Sequence, residues 1–200
     1  MTPHPARPLL ATLALLAACA PLSTTRQEQP FTPTVSVAAG ASRSEYNADW
    51  EPVDEVSMAH LGVAGVPEGP RGGLSWEAQL SLGEEDDGFQ GFEVDSEHTL
   101  LGGGARYTWF HGRVRPFVGG GAELDHAEVE IEGSGFRLRD DDTALGLYLH
   151  AGLELDVDAA GRWFAGVDAR VGGLGAEHEF FFARNDSDYG RMTLWLGRRF

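Results

Sequence analysis

LLGGGARYTWFHGRVRPFVGGGAEL, residues Leu100–Leu124, decides how the chain is read. Two alternating runs meet at His111-Gly112-Arg113. In the first run one parity holds Leu101, Gly103, Ala105, Tyr107 and Trp109, and the other holds Leu100, Gly102, Gly104, Arg106 and Thr108. In the second, Val118, Gly120, Ala122 and Leu124 alternate with Phe117, Gly119, Gly121 and Glu123. A period of two marks a strand whose faces meet different surroundings. The apolar face carries no charge, and the opposite face carries charges among glycines. Such a strand either buries its apolar face in a core or turns it outward to lipid.

Working outward from this hairpin, eight alternating runs appear at about 34–44, 55–64, 73–83, 97–110, 114–130, 137–157, 162–174 and 189–200, with no competing helical period. The connections between them alternate long and short. The four long ones, 45–54, 83–97, 125–142 and 175–188, carry 4, 7, 7 and 4 of the 31 acidic residues. The short ones are 65–72, 111–113 and 158–161. An even number of up-and-down strands closes without a free edge. Long connections at one end and short turns at the other are the asymmetry of an outer-membrane barrel. We therefore expect an all-β, eight-stranded antiparallel up-and-down transmembrane β-barrel over residues 34–200.

The expected lipid face contains Val35, Val37, Ala39 and Ala41; Ala59, Leu61 and Val63; Leu74, Trp76, Ala78, Leu80 and Leu82; Leu145, Leu147, Leu149, Ala151, Leu153 and Leu155; Trp163, Ala165, Val167, Ala169 and Val171; and Met192, Leu194 and Leu196. The second group is the least clear, because Val56 and Met58 fall on the other parity. No charge interrupts these lists, as a membrane strand of ~9–11 residues requires. Trp76, Tyr107, Trp109, Trp163 and Phe200 fall at the short-turn end, where an interfacial aromatic ring is favoured. Trp195 has inward parity. The inward parity also carries Glu77, Arg106, Glu123, His150, Glu154, Asp168, Arg170, Arg191 and Arg199. An eight-stranded barrel is only wide enough to be filled by side chains. Glu77, Arg106, Glu123, Glu154, Asp168, Arg170 and Arg191 are therefore read as an ionic network plugging the interior, with glycines making room for them.

All fifteen basic residues are arginine, and the net charge is -16, which excludes nucleic acid as a partner. The 27 glycines fit a sheet protein with tight turns. The N-terminus has a small basic region at Arg7 and an apolar stretch at 9–18, so residues 1–18 are expected to be a signal peptide. Leu16-Ala17-Ala18-Cys19 resembles the bacterial lipobox, which implies lipidation at Cys19, the sole cysteine. Ordinary cleavage after Ala18-Cys19-Ala20 is the alternative. Residues 19–33 are read as a polar tether.

At RPFVGGGAEL (115–124), LLGGGARYTW (100–109) and WLGRRF (195–200), the chain resembles the small outer-membrane β-barrel superfamily that includes the OmpA transmembrane domain and OmpX. The resemblance implies residence in the bacterial outer membrane among its lipids. It also implies recognition of the closing strand, ending at Phe200, by the barrel assembly machinery.

Enzymatic chemistry needs a nucleophile, a base and an orienting group. No His-x-Ser arrangement is present, and His150, with Glu154 on the same face, reads as a hydrogen-bonded filler. The acidic runs 84–87 and 140–142 lack the spacing of a calcium loop and read as solvated surface. No cofactor or metal is expected. Glu130–Arg139 alternates through Ser134-Gly135, predicting a hairpin that pairs Glu132 with Arg137 and Glu130 with Arg139 above the membrane. The leading expectation is a non-enzymatic barrel serving envelope integrity or surface interaction, with the acidic external connections facing a surface partner. The alternatives are a soluble periplasmic lipocalin-like lipoprotein carrying an apolar ligand, and a lipid-modifying barrel enzyme built on His150.

Overall fold

A computed structural model of the chain describes residues 34–46, 55–89, 92–133, 135–173, 177–180, 183–186 and 188–200. The expected signal peptide, Cys19 and the tether lie outside the described residues, as do most of the first long connection and Ser134. The strands are β1 (Val35–Tyr46), β2 (Glu55–Gly65), β3 (Gly72–Phe89), β4 (Phe92–Trp109), β5 (Val114–Gly133), β6 (Phe136–Asp156), β7 (Trp163–Gly172), β8 (Glu177–Phe180), β9 (Ala183–Asp186) and β10 (Tyr189–Arg199). Eight of them form a closed antiparallel barrel in the order β1-β2-β3-β4-β5-β6-β7-β10, with β10 paired back to β1. The strands β8 and β9 form a separate two-stranded hairpin within the last long connection.

The seam is a full ladder. β1 pairs with β10 from Ser36↔Arg199 to Tyr46↔Tyr189, as long a register as the one it makes with β2. At its lower end the Thr34 amide donates to the Phe200 carbonyl at 2.7 Å. The tight turn at His111–Val114 closes with reciprocal backbone bonds of 2.9 and 3.1 Å, and Gly112 supplies the positive φ (62°) it needs.

The wall has the polarity the alternation requires. Leu149 is 59% and Leu194 65% exposed, whereas Arg106 is 8% and Arg170 5% exposed. A lipocalin-like carrier would have the reverse arrangement, so that alternative is set aside. Trp76, Tyr107, Trp109 and Phe200 are exposed on the outer wall near the short turns. The Arg198 guanidinium lies 5.5 Å from the Trp163 ring and 5.0 Å from Phe200. Trp195 points inward and packs against Phe117 and His60, each with ring centroids 6.0 Å away.

Two expectations are corrected. The connections 83–97 and 125–142 are largely strand rather than loop: β3 and β4 run to Phe89 and from Phe92, and β5 and β6 meet at Gly133↔Phe136. The alternation continues there, but with carboxylates in place of leucines on the outer parity, and its inner parity stays apolar at Val94, Ala127 and Val129. β3–β6 thus have 18, 18, 20 and 21 residues, against 12, 11, 10 and 11 in β1, β2, β7 and β10. The surplus corresponds to roughly 25–30 Å of strand standing beyond the barrel wall. The second correction concerns Val56 and Met58. They face inward and pack with Leu100, so the interior is not ionic throughout.

Leu149→Arg is expected to destabilise the barrel by about 2–4 kcal/mol in urea titrations in lipid vesicles. Leu138→Arg, on the projecting part of β6, should change stability by less than about 1 kcal/mol in the same assay.

Candidate functional site

The interior is built by register. At the short-turn end, acids and bases alternate in a chain of five side chains from four strands. Arg106 Nη2 lies 2.8 Å from Glu154 Oε1, and Arg199 Nη2 donates to Glu154 Oε2 at 2.6 Å. Arg199 Nη1 donates to Asp156 Oδ1 at 2.7 Å and to the Gly161 carbonyl at 2.9 Å. Arg115 Nη2 closes the chain on Asp156 Oδ2 at 2.9 Å. Two guanidiniums also lie over rings, Arg199 at 4.3 Å from Phe164 and Arg106 at 5.0 Å from Phe117. The sequence reading names Arg106 and Glu154 but passes over Arg115 and Asp156. Asp156 shares Glu154's parity, and that is the available signal.

At mid-height His150 stands between two carboxylates. Its Nδ1 is hydrogen-bonded to Asp168 at 2.9 Å, and its Nε2 lies 3.0 Å from Glu77 Oε1. The Tyr148 hydroxyl donates to the same Glu77 oxygen at 2.7 Å. The expected neighbour of His150, Glu154, is instead engaged by Arg106 and Arg199. Four residues along a strand share a face but stand two positions apart, whereas cross-strand neighbours touch. Above this level Glu123 Oε2 lies 3.7 Å from both Arg170 Nη1 and Arg191 Nη2, and Tyr189 donates its hydroxyl to Glu123 Oε1. Arg170 Nε is 3.7 Å from Asp168 Oδ2. All seven residues singled out from sequence therefore lie inside the barrel, in two linked groups. A cavity of about 50 Å³ between them is bordered by His60, Gln79, Arg106, Asp168, Arg170 and Trp195. It has room for a few water-sized groups.

Two hydroxyl–imidazole pairs escape the sequence reading because their members are far apart in the chain. His60 Nδ1 and Ser81 Oγ are 3.0 Å apart and buried, and His126 Nδ1 and Thr143 Oγ1 are 2.9 Å apart and exposed. Among the described residues neither imidazole is hydrogen-bonded to a carboxylate, so neither pair has the third member a catalytic triad uses.

The projecting sheet has a different chemistry. Its rungs run Glu84↔Glu97↔Glu128↔Asp141, then Asp86↔Asp95↔Glu130↔Arg139, then Gly88↔Glu93↔Glu132↔Arg137. The hairpin register expected from Glu130–Arg139 is present. The ion pairs lean diagonally, however: Arg139 meets Glu128, and Arg137 meets both Glu130 and Glu132. Long side chains reach diagonal neighbours on a twisted sheet. Like charges directly opposite each other destabilise a sheet. Asp95 shows the effect: its carboxyl is held above the usual aspartate range by partial burial and by Asp86.

The family described as "Outer membrane protein beta-barrel domain" matches residues 10–200. The chain belongs to this family. In this outer-membrane barrel family the exposed apolar band faces lipid. By the general rule the short turns face the periplasm and the projecting sheet faces outward. No curated protein matches the chain in sequence. Among solved structures it is similar to Neisserial surface protein A, at 14% identity and TM-score 0.57 over 83% of this chain and 97% of that one. It is also similar to Ail, the attachment invasion locus protein of Yersinia pestis, at 14% identity and TM-score 0.58 over 85% and 100%. A major outer membrane protein from Thermus thermophilus matches at 12% identity and TM-score 0.56 over 82% and 99%. At these identities the likeness concerns the fold.

Glu154→Gln leaves both Arg106 and Arg199 without this carboxylate and is expected to cost about 3–5 kcal/mol in a urea titration; Arg106→Met, which leaves Glu154 paired with Arg199, should cost less in the same assay. The Asp95 carboxyl titrates higher folded than unfolded, so it detracts from sheet stability at neutral pH. This penalty is relieved as pH falls through its raised value toward that of an ordinary aspartate. Amide protection in the upper parts of β3 and β4, corrected for intrinsic exchange, should rise over that interval, and Asp95→Asn should abolish the rise.

Proposed function

We propose that the protein is a non-enzymatic outer-membrane barrel whose task is contact at the cell surface, made by the projecting sheet of β3–β6. One observation carries this reading. The sheet stands beyond the barrel wall with an edge that has no strand partner among the described residues: β3 pairs with β2 only up to Met58↔Gly83, and from Glu84 to Phe89 its described partner is β4 alone. Such an edge is a template for an incoming strand. Its carboxylates oppose pairing with a second copy of itself and favour a strand carrying arginine or lysine at alternate positions. Ail has also been solved with the heparin analogue sucrose octasulfate. A polyanion of that kind is the opposite of what this acidic sheet would accept. Outer-membrane lipid and, during assembly, the barrel assembly machinery acting on the Phe200 strand are the further partners in this reading.

The anchoring is part of the same proposal: residues 1–18 are removed and Cys19 carries lipid, tying the chain to the leaflet beneath the barrel. Labelling cells with an alkyne fatty acid should tag the protein, and Cys19→Ala should lose the tag. A mature chain that starts after Ala20 would overturn the anchor but not the barrel.

The surface role is tested with the protein in nanodiscs and an extended peptide alternating arginine and threonine. Binding is expected to weaken as salt rises. It should also fall at least tenfold when the edge-strand carboxylates Glu84 and Asp86 and their cross-strand partners Glu97 and Asp95 are changed to the corresponding amides. Binding that ignores both salt and these changes would refute the role.

A further inference from the structure

One charge interrupts the apolar outer wall at the closing strand. The outward residues of β10 run Met192, Leu194 and Leu196, all exposed, then Arg198, and then Phe200 just past its end. The cross-strand partners of Arg198 are Val37 on β1 and Trp163 on β7. Its four neighbours on the lipid-facing side are therefore Leu196, Phe200, Val37 and Trp163, and none of these side chains carries a carboxylate. The guanidinium lies 5.0 Å from the Phe200 ring and 5.5 Å from the Trp163 ring. Phe200 is one outward position nearer the rim, so the charge leans toward the level where hydrocarbon gives way to headgroups. Arg198 Nε is buried and has no hydrogen-bond partner.

Ring faces hold a cation but do not replace a charged acceptor. The other guanidiniums at this end have acceptors within the chain. Arg199 and Arg115 turn inward to Glu154 and Asp156, and Arg113 donates to the carbonyls of Asp156 and Val157. The turn before Trp163 adds no net charge, since 158–162 holds one acid, Asp158, and one base, Arg162. Asp158 Oδ1 accepts the Trp163 amide at 2.9 Å. The Phe200 carbonyl accepts the amides of Thr34 and Val35 at 2.7 and 3.3 Å. An acceptor for Arg198 must then come from outside the chain, and outside this wall is lipid. A phosphodiester presents two terminal oxygens that match the guanidinium fork. A zwitterionic headgroup brings an ammonium of its own, for which the four neighbours offer no partner. An anionic headgroup brings none.

We propose that Arg198, held between Trp163 and Phe200, binds the phosphodiester of an anionic glycerophospholipid in the periplasmic leaflet. The lipid sits at the seam, beside the ladder that joins β1 to β10. The site rests on the membrane placement of the barrel and not on the surface role. Its assay does not involve the projecting sheet, so either can fail alone.

The test refolds the full chain in neutral detergent and counts bound lipids by native mass spectrometry. Phosphatidylglycerol and phosphatidylcholine with the same acyl chains are compared. One phosphatidylglycerol should bind about tenfold more tightly than phosphatidylcholine, and Arg198→Gln should bring the two within about twofold. Trp163→Leu keeps the charge and removes one ring. It should lose part of the preference, and it keeps the test open if the arginine variant does not fold. Arg71→Gln, an exposed charge in the turn between β2 and β3, should leave the preference unchanged. Excess inorganic phosphate should not displace the lipid. Equal binding of the two lipids would overturn the proposal, as would a preference that survives either Arg198→Gln or Trp163→Leu. An equal loss with Arg71→Gln would mean diffuse attraction to the rim, and displacement by inorganic phosphate an adventitious ion only; each would also overturn it.

Discussion

A peptide backbone in hydrocarbon finds no water to bond, so a sheet that crosses a membrane must return on itself. In this protein that requirement is met by the ladder between β1 and β10, and the rest of the structure depends on it. Closure fixes which side of every strand is outside. A one-residue slip anywhere would move leucines into the lumen and arginines into lipid, so register and polarity enforce each other. Closure with eight strands also fixes the bore, which is too narrow for an aqueous channel and must be filled.

Filling the bore explains the glycines. Gly119 lies against His150, Gly152 against Phe117, Gly166 against the Trp195 indole and Gly197 against Phe164. In each case a β-carbon would enter a ring on the neighbouring strand. Large and absent side chains thus alternate around the wall, and the rings position the charged groups among them. The lumen changes character with height. It is ionic toward the short turns and centre, and ends in apolar clusters where the sheet begins to project.

The alternation is enough to read the wall, because a period of two survives in a single strand without knowledge of its neighbours. It therefore places Leu147, Leu149, Arg106 and Arg170 on their proper sides. It does not say which inward side chains meet, since that depends on shear between strands. The partners of His150 come from β3 and β7, at positions 77 and 168, and nothing in the local sequence points to them. The upper halves of β3 to β6 read as loops only if acidity is taken as a sign of irregular chain. In water a strand needs no apolar outer face, and Glu128, Glu130 and Glu132 keep the period that Leu124 began. The hairpin at Gly135 is legible because opposite charges mark its two arms.

The meeting of Thr34 with Phe200 has a mechanical side. The seam matches the β1–β2 ladder in length, so the barrel behaves as a hoop without a weak join. Both ends of the hoop leave it at one point on its circumference. Whatever is joined to either end of the barrel therefore acts on its rim at one and the same azimuth.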